Sequence, residues 1–248
     1  MLNKTELEEF GQGLGFNLWQ TERDYFQHLF LMFLSRRIGN ELIFKGGTAL
    51  QKVFGLNRFS IDLDFTFNHA LPAELFENIK RDFANFGVKA EFELSEQKNS
   101  MKVKLAIEGP SYEGTERTLV VLRIEISLRE KVLLEPETKE IFPSYSDLQP
   151  YLVRVMNLGE IAAEKIRAIL TRDKARDMFD LRFLLNKGVK VNEKLVNEKL
   201  KAYGITYSKT LLLEKISKME KVWHNELSQL IVVVPEFKLM VKEIKGKA

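Results

Sequence analysis

Apolar and polar positions alternate between helical and extended periods over the first part of the chain, then settle into a helical period. Asn3 followed by Glu6 is a helix-opening pair, and residues 5–10 form a short helix ending in the glycine-rich stretch 11–15. Tyr25, Phe26, Leu29, Phe30, Phe33 and Leu34 make an apolar stripe at helical spacing, with Thr21 and Asp24 as its cap and Arg36 and Arg37 at its end. Leu42, Ile43 and Phe44 read as a strand, followed by two glycines and a short helical segment over residues 49–54. Residues 60–67 alternate with period two, so Ile61, Leu63, Phe65 and Phe67 share one face and Asp62 and Asp64 the other. A helix is expected over 71–86, closed by Gly87, and strands over 88–94, 100–107 and 119–128, with 112–118 as connector.

Pro136, Pro143 and Pro150 are expected to interrupt any regular element, placing a joint between a first domain, 1–150, and a second, 151–248. In the second, Leu158, Ile161, Ala162, Ile166, Ile169 and Leu170 form a helical stripe with Lys165 on its polar side. A further helix starts near Lys174, and residues 191–203 are amphipathic. Ser208 caps a helix running towards Trp223, residues 224–233 continue the bundle, and Pro235 opens a last helix through Val241. The fold class is α+β: a mixed sheet with flanking helices, then a mostly helical C-terminal domain.

Composition narrows the chemistry. The 248 residues are 45% hydrophobic and 29% charged, ordinary for a chain with buried cores. A formal charge of +3 permits a nucleic-acid or nucleotide partner without arguing for one. Cysteine is absent, which excludes disulfides and thiolate metal sites and fits a reducing cytoplasm. His28, His69 and His224 have no metal-ligand spacing and read as structural or exposed. The N-terminal stretch lacks a basic region followed by an apolar one, and no apolar run approaches the roughly 18 residues of a membrane span. A soluble, cytoplasmic protein is expected.

Two stretches carry chemistry. In the first, Lys45, Gly46, Gly47 and Thr48 join a strand to a helix, where glycines let backbone N–H groups approach a phosphate at a helix N-terminus and Thr48 adds a hydroxyl. The paired carboxylates of Asp62 and Asp64 follow; side by side they repel unless a cation intervenes, and Mg²⁺ is the ordinary choice when phosphates complete the shell. A calcium loop is ruled out because Phe67 stands where the loop glycine is required. Further on, Arg123, Glu125 and Ser127 share one face of an apolar strand, and Glu125 needs a partner, either Arg123 or Arg129 in an ion pair or a metal. The second stretch, residues 171–181, carries Arg172, Arg176, Asp177 and Asp180, with the two aspartates on one helix face; taken alone it is a solvated face.

The string KGGTAL followed by RFSIDLDF resembles the AbiEii-type branch of the polymerase-beta-like nucleotidyltransferase superfamily, toxins of type IV toxin–antitoxin and abortive-infection systems. Lys165 followed by the Arg172, Arg176, Asp177 and Asp180 pattern is similar to that family's second signature. The resemblance implies a nucleotidyltransferase-like sheet and transfer of a nucleoside monophosphate from an NTP to an acceptor, an RNA such as a tRNA end. It implies two Mg²⁺ ions on Asp62, Asp64 and Glu125, the last being the superfamily's third acid. Gly46, Gly47, Thr48 and Lys45 would meet the phosphates, Lys165 and Arg176 would neutralise triphosphate charge, and Arg58 and Ser60 would orient Asp62 or touch the nucleotide. Asp177 and Asp180 would fix Arg172, Arg176 or Lys165, or bind base or ribose. A cognate antitoxin encoded nearby is a further implied partner, and no membrane is involved. Two rivals stand beside this reading: transfer to a protein side chain, and a non-catalytic nucleotide-binding module of the same fold.

Overall fold

A computed structural model describes residues 1–247. Two units divide the chain: Met1–Phe54, Phe59–Val132 and Pro136–Val155 form unit 1, and Gly55–Arg58, Leu133–Glu135 and the chain from Met156 onward form unit 2.

Unit 1 opens with α1 (Lys4–Leu14), whose Asn3 and Glu6 make the reciprocal capping pair that the sequence suggests. The helix runs past Phe10 and closes at Gly15, inside the expected glycine-rich stretch. At Gly11 a side-chain carbon would meet Thr21 Oγ1 at 2.5 Å, so that glycine admits the next helix rather than breaking its own. That helix, α2 (Leu18–Ser35), begins before Thr21: Asn17 and Gln20 form its capping box, and Thr21 sits inside the first turn. Every residue of α2 from Gln20 to Leu34 is buried, polar ones included.

The sheet follows the order β3-β4-β5-β2-β1-β7-β6. Its strands are β1 (Leu42–Lys45), β2 (Leu63–Phe67), β3 (Lys89–Gln97), β4 (Ser100–Glu108), β5 (Val120–Ser127), β6 (Glu137–Ile141) and β7 (Tyr151–Val155). The central strand β2 runs antiparallel to β1 and parallel to β5, while β1 runs parallel to β7. Helix α3 (Gly46–Phe54) follows β1 without a break, and α4 (Leu75–Asn85) packs on α2 and β3. Leu63 and Phe65 are buried, with Phe65 tilted against Phe44 of β1, so the expected apolar face of β2 joins the core.

The prolines correct one expectation. They bracket strands instead of interrupting them: Pro136 precedes β6, and Pro143 and Pro150 fall in the connection between β6 and β7. Unit 1 consequently runs to Val155, past Pro150.

Unit 2 contains α5 (Leu158–Thr171), α6 (Ala175–Asn186), α7 (Glu193–Leu200), α8 (Lys209–Ser217), α9 (Glu220–Leu227) and α10 (Phe237–Lys247). Ser208 caps α8 as expected, accepting from the Leu211 N–H at 3.1 Å. The bundle does not continue through residues 228–233: α9 ends at Leu227, and Val232 and Val233 are 81% and 79% exposed. β-branched residues resist helix formation, and Trp223 Nε1 holds the chain beyond them by donating to the Pro235 carbonyl at 2.8 Å. Among the described residues no helix is long and apolar enough to cross a membrane.

Candidate active site

Sheet register brings the first acids together. Asp64 on β2 pairs with Glu125 on β5, Glu125 with Lys102 on β4, and Asp64 with Lys45 on β1. Residues paired across strands project to the same face, so four neighbouring strands carry a row reading Lys102, Glu125, Asp64, Lys45. Two carboxylates occupy its middle. Glu125 is exposed rather than buried, and it makes no ion pair with Arg123 or Arg129 among the described residues. The partner its apolar strand was expected to demand is unnecessary because its face of the strand is wet. Lys45 is buried and its Nζ lies 2.6 Å from Glu130 Oε2.

Gly46 has φ +76, the left-handed region, and a side chain there would collide with the Asp64 carboxylate. The glycine is thus required both by the turn and by the approach of the acid. The hydroxyl of Thr48 points inward: it donates to the Asp62 carbonyl and shares a 2.8 Å hydrogen bond with Ser60 Oγ, with Thr48 wholly buried. This corrects the expectation of a hydroxyl offered to phosphate. Gly47 is buried in the first turn of α3.

Asp62 lies outside the ladder. The expected strand over 60–67 begins only at Leu63, and residues 60–62 have no regular structure. Their backbone is held by side chains. Gln51 Oε1 accepts from the Ser60 N–H at 2.8 Å, and Gln27 Nε2 donates to the carbonyls of Ser60 at 3.0 Å and Ile61 at 2.9 Å. The Asp62 carboxylate is half-buried, in no ion pair among the described residues, and within electrostatic reach of Arg23, which donates to the Val121 carbonyl. Among the described residues no group of three or more His, Cys, Asp or Glu forms a ready-made metal cage.

In unit 2 the second signature folds into an ion network. Asp180, wholly buried, accepts from Arg58 Nε at 2.6 Å on Oδ1 and from Arg58 Nη2 at 2.7 Å on Oδ2, and Lys165 Nζ stands 2.6 Å from the same Oδ2. Lys165 also reaches Asp177 Oδ1 at 3.1 Å, and Arg172 donates to both oxygens of Asp177 at 2.8 and 3.0 Å. Burial alone would raise both carboxyls, but the charges and hydrogen bonds of Arg58 and Lys165 at Asp180, and of Lys165 and Arg172 at Asp177, hold them below the usual carboxylate range. Two expectations change. The aspartates do not line a solvated face, and Lys165 is 7% exposed rather than on the open side of its helix. Arg58 is engaged with Asp180, and Arg176 is half-buried at the start of α6.

The family described as nucleotidyl transferase AbiEii toxin, type IV toxin–antitoxin system, matches residues 33–242. The chain belongs to that family. It is accordingly a nucleotidyltransferase. No curated protein sequence matches the chain. Among solved structures, the nucleotidyltransferase toxin MenT4 from Mycobacterium tuberculosis H37Rv superposes with a TM-score of 0.70 at 19% identity, covering 100% of this chain and 88% of that one. JHP933 from Helicobacter pylori gives 0.60 at 19% identity, covering 92% and 89%. A putative nucleotidyltransferase from H. pylori gives 0.60 at 20% identity, covering 90% and 92%. These likenesses establish a shared fold.

Sequence patterning passed over Gln27, Gln51 and Glu130. The signal for Gln27 was present: an amide between Phe26 and Leu29 within an apolar stripe must find partners once the helix is buried. Gln51 and Glu130 stand in segments whose periodicity gives no hint of their partners.

Proposed function

We propose that this family member transfers a nucleoside monophosphate from an NTP to an RNA acceptor, a tRNA end, with Asp62, Asp64 and Glu125 as the acids that serve the reaction. The observation that carries this reading is the register pair Asp64 and Glu125, two carboxylates on adjacent central strands, with the turn glycine Gly46 shaped around one of them. Carboxylates so placed repel each other, and a protein keeps them there when a cation is to be shared. Mg²⁺ commonly takes one or two carboxylates and completes its shell with water and substrate phosphates, so this donor set suits an ion that arrives with a nucleotide better than one caged in advance. Asp62, Asp64 and Glu125 would hold it, and when bound it supplies charge for the α-phosphate and the leaving oxygens.

In the reaction an acceptor hydroxyl attacks the α-phosphorus in line, a new P–O bond forms, the bond to the β-phosphate oxygen breaks, and pyrophosphate leaves. A carboxylate on the acceptor side, assigned to Glu125, takes the hydroxyl proton. Backbone N–H groups at Gly46 and Gly47 would meet the phosphates through the N-terminus of α3. In unit 2, Lys165, Arg172 and Arg176 are proposed as nucleotide-binding cations, with Asp177 and Asp180 setting the orientation of Lys165, Arg58 and Arg172. An antitoxin partner is in keeping with the family.

The test is incubation of the purified protein with each labelled NTP, MgCl₂, total RNA and bulk protein. Label is expected in the tRNA fraction. Label confined to protein would replace the acceptor, and no transfer with any NTP would overturn the reading.

A further inference from the structure

Asp64 and Asp62 are held in different ways. Asp64 sits in a ladder, with β1 on one side and β5 on the other. Asp62 precedes that ladder, and residues 60–62 have no regular structure. Three side chains from two helices replace the missing ladder bonds. Gln51 takes the Ser60 N–H, Gln27 the carbonyls of Ser60 and Ile61, and Thr48 the carbonyl of Asp62.

Both amides are oriented without ambiguity. Gln51 Nε2 donates to Asp24 Oδ1 at 2.9 Å, so its oxygen must face Ser60. Asp24 is fixed in turn by Lys52 Nζ at 2.8 Å and the Tyr145 hydroxyl at 3.0 Å. Gln27 Nε2 faces two carbonyls, which only an N–H₂ group can satisfy. Its Oε1 is consequently buried without any hydrogen-bond partner, in a residue with no exposure at all. The amide satisfies two backbone carbonyls at the cost of one unpaired acceptor of its own. What the amide secures is the path of the backbone leading into Asp62.

We propose that Gln27 and Gln51 are positioning residues that set the Asp62 carboxylate by clamping the backbone of residues 60 and 61. The proposal rests on the reading of Asp62 as an acid of the transfer site. Gln27→Met keeps the volume and removes both donations, and the peptide from Ser60 to Asp62 then loses its fixed path.

The experiment measures Gln27→Met and the parent in three ways: melting temperature, nucleotide transfer with each NTP, MgCl₂ and total tRNA, and Mn²⁺ binding in the presence of NTP followed by electron paramagnetic resonance. The expected result is a folded protein with a melting temperature lower by several degrees, kcat per folded protein lower by about 10- to 100-fold with KM for NTP within about threefold, and weaker Mn²⁺ binding. A folded Gln27→Met protein with parental kcat and parental Mn²⁺ binding overturns the proposal while the functional reading stands. A parent that transfers nothing and binds no Mn²⁺ with nucleotide overturns both. If Gln27→Met does not fold, Gln51→Met, which removes the bond to the Ser60 N–H, is read by the same three measurements and the same outcomes.

Discussion

The two units treat buried and half-buried acid in opposite ways. In unit 2 every oxygen of Asp177 and Asp180 has a cation against it, from Arg58, Lys165 or Arg172, and both carboxylates are closed to solvent. In unit 1 Glu125 and Asp62 stand without an ion pair among the described residues, in wet or half-wet positions. Unit 1 does not lack the means to neutralise an acid. Asp24, in the same unit, is buried with Lys52, Gln51 and Tyr145 around it, and the Lys52 charge with the Lys52 and Tyr145 hydrogen bonds holds its carboxyl below the usual range against the opposing pull of burial. The openness of Asp62 and Glu125 is therefore a property of their place, and it leaves capacity to bind a cation that the closed network has already satisfied.

The largest expected effects separate the two. Asp180→Asn strips a bidentate partner from Arg58 and a second from Lys165, both buried, and should destabilise the protein by roughly 3–5 kcal/mol in chemical denaturation. Lys165→Ala breaks the same network and should also lower stability, so its activity has to be normalised to folded protein. Asp64→Asn should leave stability within about 1 kcal/mol while lowering transfer on the order of 100-fold or more. If Asp64→Asn unfolds the chain and Asp180→Asn does not, the contrast between an open acid and a closed ion network is reversed.

Where the sequence predicted well, period and chemistry agreed. The alternation through Leu63, Phe65 and Phe67 gave the strand and its two faces, and the glycine turn after β1 followed from two residues without side chains. The second signature was misplaced for a physical reason. Helical spacing says which residues share a face but not what covers it, and the cation completing that group, Arg58, is 122 positions from Asp180. The prolines misled similarly, because a proline beside a strand and one within it look alike until the strand's ends are known.

A smaller effect sharpens the comparison within unit 1. His28 is buried beside Lys52, which together push it down to about 3 although Asp24 pulls the other way. Its Nδ1 meets the Tyr151 hydroxyl at 2.8 Å. Folded protein thus keeps His28 neutral at pH values where the unfolded chain takes up a proton. Because the unfolded state binds more protons, stability falls as pH drops from about 6.5 towards 3, at up to about 1.4 kcal/mol per unit. Denaturation curves between pH 7 and pH 4 should show this slope, and His28→Gln should flatten it. The buried aspartates act in a lower window: their depressed carboxyls add stability above the usual carboxylate range, and that stability disappears as pH falls through their folded values. An unchanged slope in His28→Gln would mean that the histidine is already charged in the native state.

The smallest effect concerns Thr66, two residues beyond Asp64 in β2. It is wholly buried, and its hydroxyl has no hydrogen-bond partner. In the register it lies between Ile43 of β1 and Ser127 of β5, on the face that carries Asp64 and Glu125. Valine has the same branched shape without the hydroxyl, so Thr66→Val removes an unsatisfied polar atom and leaves the packing in place. Stability should rise by about 1 kcal/mol, read as a higher denaturation midpoint with unchanged slope. Transfer activity should stay at the parental rate, because the acids are held by the ladder and the two glutamines rather than by this hydroxyl. A loss of stability would reveal a partner for the hydroxyl in solution. A loss of activity at full stability would extend the acid face one register step along β2 and make Thr66 part of the site.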